Sequence, residues 1–130
     1  MRYDEFLAQV RDRGEYADQE EAAKVSEAVL GVLAGRIIPA EAKDLAAQLP
    51  APLDAKVTAA AGERPESYGV EEFCRRVAER AGGHERTAQW DAGAVLTTVA
   101  DLVSPGELDQ LLGQLPADYA VLFGRSGPTG

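Results

Sequence analysis

Pro39-Ala40-Glu41-Ala42-Lys43-Asp44-Leu45-Ala46-Ala47-Gln48-Leu49-Pro50 is answered 66 residues later by Pro105-Gly106-Glu107-Leu108-Asp109-Gln110-Leu111-Leu112-Gly113-Gln114-Leu115-Pro116. Pro39, Glu41, Leu45 and the run Gln48-Leu49-Pro50-Ala51 recur in one register as Pro105, Glu107, Leu111 and Gln114-Leu115-Pro116-Ala117. Each stretch reads as a short helix. Proline suits the first helical position, where its missing N–H would be unpaired anyway, and a glutamate two residues on faces the positive end of the helix. Ser104 adds a hydroxyl cap to the second stretch, whereas Ile38 leaves the first without one. Leu45 and Leu49, with Leu111 and Leu115, form the edge to be buried. Pro50 and Pro116 close the two helices, because proline drives the residue before it out of helical geometry.

The register extends outward. Ala28-Val29-Leu30 recurs as Ala94-Val95-Leu96 at the same offset, while Asp4-Glu5-Phe6 aligns with Glu71-Glu72-Phe73, and Val10 with Val77, at 67. One residue is therefore gained or lost between Gly14 and Gln19 or between Gly82 and Arg86, in a loop where length is cheap. Tyr3, Phe6, Leu7 and Val10, then Val70, Phe73, Cys74 and Val77, fall at i, i+3, i+4, i+7, the spacing of one apolar helical face. A longer helix begins near Asp18, which stands at capping-box distance from Glu21, and turns Val25, Val29, Val32 and Leu33 inward. Its counterpart carries Val95, Leu96, Val99, Leu102 and Val103. A short fourth helix carries Leu53 and Val57, matched by Tyr119 and Phe123.

Period-two alternation is nowhere sustained, so the expected fold is all-α. It is a tandem duplication of a four-helix motif, about eight helices in all: residues 1–61 form the first repeat, 62–69 a connector, 70–124 the second repeat and 125–130 a frayed tail. A repeat of about 55–60 residues is marginal as a lone core. The two are therefore expected to pack as one compact bundle with pseudo-twofold symmetry. Aromatic residues are only 6% of the chain, so the core is expected to lean on Phe6, Phe73, Trp90, Phe123 and the leucines.

Hydrophobic residues at 45% and charged residues at 27% exclude a disordered composition. The net charge of −9 splits into −4 for residues 1–65 and −5 for residues 66–130, so no basic half hides in the sum. That balance argues against nucleic acid and anionic membrane surfaces as partners. The densest basic spot, Arg75-Arg76 with Arg80, stands at helical spacings from Glu71, Glu72 and Glu79 and reads as salt-bridged helix surface. The single Cys74 cannot make an internal disulfide and fits a reducing compartment. No window approaches the roughly 20 apolar residues of a membrane span, and Met1 to Phe6 does not open a signal peptide. A cytoplasmic location is the expectation.

Tyr3-Asp4-Glu5-Phe6-Leu7, Ala28-Val29-Leu30 and Pro39 to Pro50, with Val70-Glu71-Glu72-Phe73, Ala94-Val95-Leu96 and Pro105 to Pro116, together resemble the bacterial family called domain of unknown function 2267. The resemblance runs to about Phe123 and departs from the usual pattern at Ile38 and Trp90. It implies a small helical bacterial protein with no established activity, cofactor or catalytic residues.

Candidate chemistry is sparse. Cys74 aligns with Leu7 on an apolar helical face, which predicts a buried small hydrophobe rather than a nucleophile. His84, the only histidine, lies in the Gly82-Gly83-His84-Glu85 loop, and with Glu85 and Asp91 it makes no recognisable zinc spacing. Asp4-Glu5, Glu71-Glu72 and the run Asp18 to Glu21 suit first helical turns, and neighbours at i, i+1 diverge too far to form an acid/base dyad. There is no P-loop, dinucleotide fingerprint, nucleophile elbow or EF-hand loop. Backbone donors at Gly35-Arg36 and at Ser104-Pro105 could take an anion weakly. The expectation is a non-enzymatic interaction or regulatory module with a protein partner or self-association, and no catalytic, cofactor or metal residues. The alternative is a small-molecule or lipid-binding bundle that uses the seam between repeats.

Overall fold

The computed structural model describes residues 1–83 and 85–125, without the side chains of Glu85 and Arg86. His84 and the tail beyond Arg125 lie outside the described residues. The chain runs α1 (Tyr3–Gly14), α2 (Gln19–Arg36), α3 (Pro39–Ala46), α4 (Leu53–Ala60), α5 (Val70–Ala81), α6 (Glu85–Leu102), α7 (Pro105–Gly113) and a closing 3-10 helix (Ala117–Phe123). No strand occurs among the described residues, and the fold is all-α. Lengths run in parallel through the two halves: α1 and α5 have 12 residues each, α2 and α6 have 18. The last pair differs, an α-helix of 8 residues against a 3-10 helix of 7 that Gly124 closes at φ 75.

Packing explains the burial. α2 and α6 touch each other in the centre, and α1 and α5 each lie against both of them. α4 covers α2, the 3-10 helix covers α6, and α3 meets α7. α2 is consequently buried almost all round, from Ala22 through Val25, Val29, Leu30 and Leu33 to Ala34, as a central helix must be. The apolar side chains of both halves merge into one core, in which Phe73 meets Tyr119 edge-on at 5.5 Å.

Trp90 corrects the expected core. Its side chain is 54% exposed, because α6 turns Ala88, Ala92, Val95 and Val99 inward and leaves position 90 on the outer face. The indole N–H donates to the Gly14 carbonyl at 3.0 Å, which lays the ring beside the end of α1. The largest fully buried side chains are instead Tyr119, Phe6, Phe73 and Phe123.

The helix starts follow the sequence, with one addition. Asp18 accepts from the Glu21 N–H at 2.9 Å, and Ser104 accepts from the Glu107 N–H at 3.2 Å. Ile38 offers no cap, and its own N–H donates to the Gln114 side chain at 3.0 Å. The matched Gln48 accepts from the Ser104 N–H at 2.8 Å. Each half thus uses the glutamine after its own short helix to bind the start of the other's, a reciprocal pattern of the kind a local twofold produces. α3 and α7 end at Ala46 and Gly113, before the prolines, and a single turn leads to the buried Leu49 and Leu115. No described helix is long and apolar enough to cross a membrane.

Candidate functional site

The connector is pinned across the end of α2. The Glu66 N–H donates to the Gly35 carbonyl at 3.1 Å, and Arg36 Nε donates to the Tyr68 carbonyl at 3.0 Å. From the other side, the buried Tyr119 hydroxyl reaches the carbonyls of Tyr68 and Gly69 at 2.8 and 3.1 Å. Burial raises the Tyr119 phenol to about 12, so it remains a donor at any ordinary pH. Two guanidinium groups stand over the Tyr68 ring, Arg36 at 5.3 Å and Arg76 at 4.2 Å from its centroid.

Beside this junction lies a cavity of about 450 Å³ walled by both halves. Gly31, Gly35 and Gly62 line it, as do Arg64, Arg75, Arg76 and Arg80, together with Glu66, Tyr68 and Glu79. Arg75 pairs with Glu72 and Glu79, while Arg76 pairs with Glu72 at 2.8 Å and Glu66 at 2.9 Å. Hydrogen bonds from Arg75 and then Arg76 hold the Glu72 carboxylate well below its ordinary range, and the Arg76 bond lowers Glu66 likewise. Arg64 and Arg80 take part in no ion pair among the described residues. A Cβ at Gly31 would come within 2.2 Å of Arg80 Nη1, so the guanidinium occupies the notch that glycine leaves. The salt-bridged surface expected for this stretch therefore holds for Arg75 and Arg76. Arg80, one turn on, lines the cavity.

A second cluster joins α3 to α7. Glu41 and Glu107, the matched glutamates, are 3% and 5% exposed, and with Asp44 they bring oxygens within 4.8 Å of one another. Burial chiefly, then the hydrogen bond and charge of Glu107, raises Glu41 to about 8. With both ionised, the Oε2 atoms of Glu41 and Glu107 have no hydrogen-bond partner among the described residues. Clefts of about 360 and 410 Å³ flank the pair, and Asp44 and Gln110 line both. From sequence, Glu41 and Glu107 stand out only as first-turn glutamates. Their identical register was the available signal, and α3 meeting α7 brings the two matched positions together.

The remaining candidates stay apart. Cys74 is buried on the inner face of α5, and His84 lies outside the described residues. Asp4 and Glu5 are exposed and pair with Arg2. The Gly35-Arg36 turn belongs to the seam, whereas the Ser104 hydroxyl is taken by the Glu107 N–H. Trp90 fronts a surface groove of about 510 Å³ with Arg13, Gln89, Gly93, Ala94 and Thr97. A family model described as "Uncharacterized conserved protein (DUF2267)" matches residues 3–122. No curated protein matches the chain.

Proposed function

The chain belongs to the DUF2267 family, and from that premise we propose that it is a non-enzymatic binding module holding a small anionic ligand at the seam between its halves. The observation that carries this reading is the pair Arg64 and Arg80. They are two guanidinium groups without acid partners among the described residues, on the wall of a glycine-lined cavity, in a chain of net charge −9. Guanidinium forks match carboxylate and phosphate oxygens in pairs, and Gly35 and Gly62 let a ligand approach the backbone. The volume suits a small molecule. The polar lining favours an anion over the lipid also considered from sequence. In this reading the protein works in the bacterial cytoplasm, on neither nucleic acid nor membrane.

Titration calorimetry with inorganic phosphate, pyrophosphate and a small dicarboxylate tests it. Saturable binding is expected for at least one probe, with loss of heat in Arg80→Gln and Arg64→Gln variants whose melting is unchanged. Absence of binding at millimolar probe, or undiminished binding in the double variant, defeats the reading.

Trp90 favours a second reading, a protein partner. An indole that is 54% exposed and fixed by its N–H presents a rigid apolar plate beside the α1–α6 groove. As the chain's one tryptophan it reports directly on such docking. A partner recovered from the native host should shift its fluorescence and lose affinity for Trp90→Ala; a partner insensitive to that change docks elsewhere.

A further inference from the structure

We infer that Glu41, Asp44 and Glu107 form a binding site for a hard divalent cation of calcium size where α3 meets α7. Their ligand oxygens all lie within 4.8 Å of one another. Oxygens that ligate one calcium at about 2.4 Å lie no more than about 4.8 Å apart, so this spacing lets the three share one ion. Magnesium demands near-ideal octahedral geometry and gives up its waters reluctantly, whereas calcium accepts an irregular set of side-chain oxygens. The donors are carboxylates alone, which selects hard cations over zinc or copper.

Burial also favours an ion here. Glu41 and Glu107 are 3% and 5% exposed, and when both are ionised the Oε2 atom of each is buried with no hydrogen-bond donor among the described residues. A buried carboxylate oxygen without a donor is costly, and two side by side are more so. A divalent cation supplies the charge and the coordination that both lack. The framework is already in place. Pro39 and Pro105 open the two helices, Ser104 caps the second, and Gln48 and Gln114 tie each helix start to the opposite half. Asp44 is exposed, and with Gln110 it lines the clefts on both sides, leaving an entry path and room for the waters that complete a coordination of six to eight oxygens. An ion here would clamp the two halves at α3 and α7, away from the arginine-lined seam.

Chelator-stripped full-length protein decides the matter at one fixed pH. Equilibrium dialysis against calcium is expected to find one ion per chain, and thermal unfolding should rise progressively with calcium and less with magnesium, since an ion bound only by the folded state stabilises it. Glu41→Gln and Glu107→Gln each keep an amide that can donate to the remaining carboxylate, so both are expected to fold and to lose the calcium-dependent shift. Asp44→Asn should reduce the shift, and Asp109→Asn, an exposed acid two residues beyond Glu107 and so on another face of α7, should leave it unchanged. No ion bound in dialysis, or a shift that survives in both glutamine variants, overturns the proposal.

Discussion

The Ile38 N–H donates to the Gln114 side-chain oxygen at 3.0 Å, so the start of α3 is capped from the opposite half of the chain. Ile38 has no cap of its own, and truncating Gln114 removes the acceptor. Gln114→Ala is expected to lower stability by about 1 kcal/mol, the ordinary cost of a lost helix cap. Gln48→Ala, which removes the matching acceptor at Ser104, is expected to cost about as much. Urea unfolding of both variants checks this. Midpoints equal to the parent's would mean that water replaces both bonds without penalty.

The Glu41–Glu107 contact makes stability depend on pH when divalent cations are chelated. Burial raises Glu41 from 4.5 to about 8 in the folded chain, so between those values the folded state holds a proton that the unfolded state has released. Stability from this group is therefore full below pH 4.5 and declines as pH rises to about 8, at no more than about 1.4 kcal/mol per pH unit. Glu41→Gln imitates the protonated form and is expected to flatten the decline. A parent and variant with parallel stability profiles from pH 5 to about 8.5 would refute the assignment.

The helices were legible because local rules and packing agree. Pro39 and Pro105, the Asp18 and Ser104 caps and the i, i+3, i+4, i+7 faces of α1 and α5 need no tertiary knowledge. Trp90 was misplaced because size suggested burial, whereas exposure is decided by the face of α6 on which a residue falls. The functional clusters were hidden for a different reason. Arg64 reaches the seam from the connector and Arg80 from α5, while Glu41 and Glu107 meet only when α3 is laid on α7. Periodicity describes one helix at a time, so it could list these residues and still not bring them together.

Gly31 tests whether Arg80 is held at the cavity wall by shape. A methyl group there would come within 2.2 Å of Nη1, the far end of a flexible side chain that can swing away. Gly31→Ala is therefore expected to leave stability unchanged or raise it by up to about 1 kcal/mol through helix propensity. Anion binding at the seam should weaken as Arg80 is displaced. Calorimetry and thermal unfolding read the two effects separately, and strong destabilisation would show that backbone, not Arg80, yields.

Glu15 and Gly82 follow twelve-residue helices in the two halves and share one backbone conformation, at φ 56 and φ 72. Glycine adopts this left-handed geometry freely, and a side chain pays for it through the contact of its Cβ with the backbone. Nothing stands within 4 Å of the Cβ position at Gly82, so adding one there brings backbone strain and no clash. The Glu15 side chain is exposed and in no ion pair among the described residues, so little is lost with it. Glu15→Gly is expected to stabilise by about 0.5–1 kcal/mol after the added freedom of the unfolded chain is counted, and Gly82→Ala to destabilise by about 1 kcal/mol. Opposite shifts in the thermal midpoint are the required result. Shifts of the same sign would mean that the loops after α1 and α5, not the backbone angle, set the energy of these two turns.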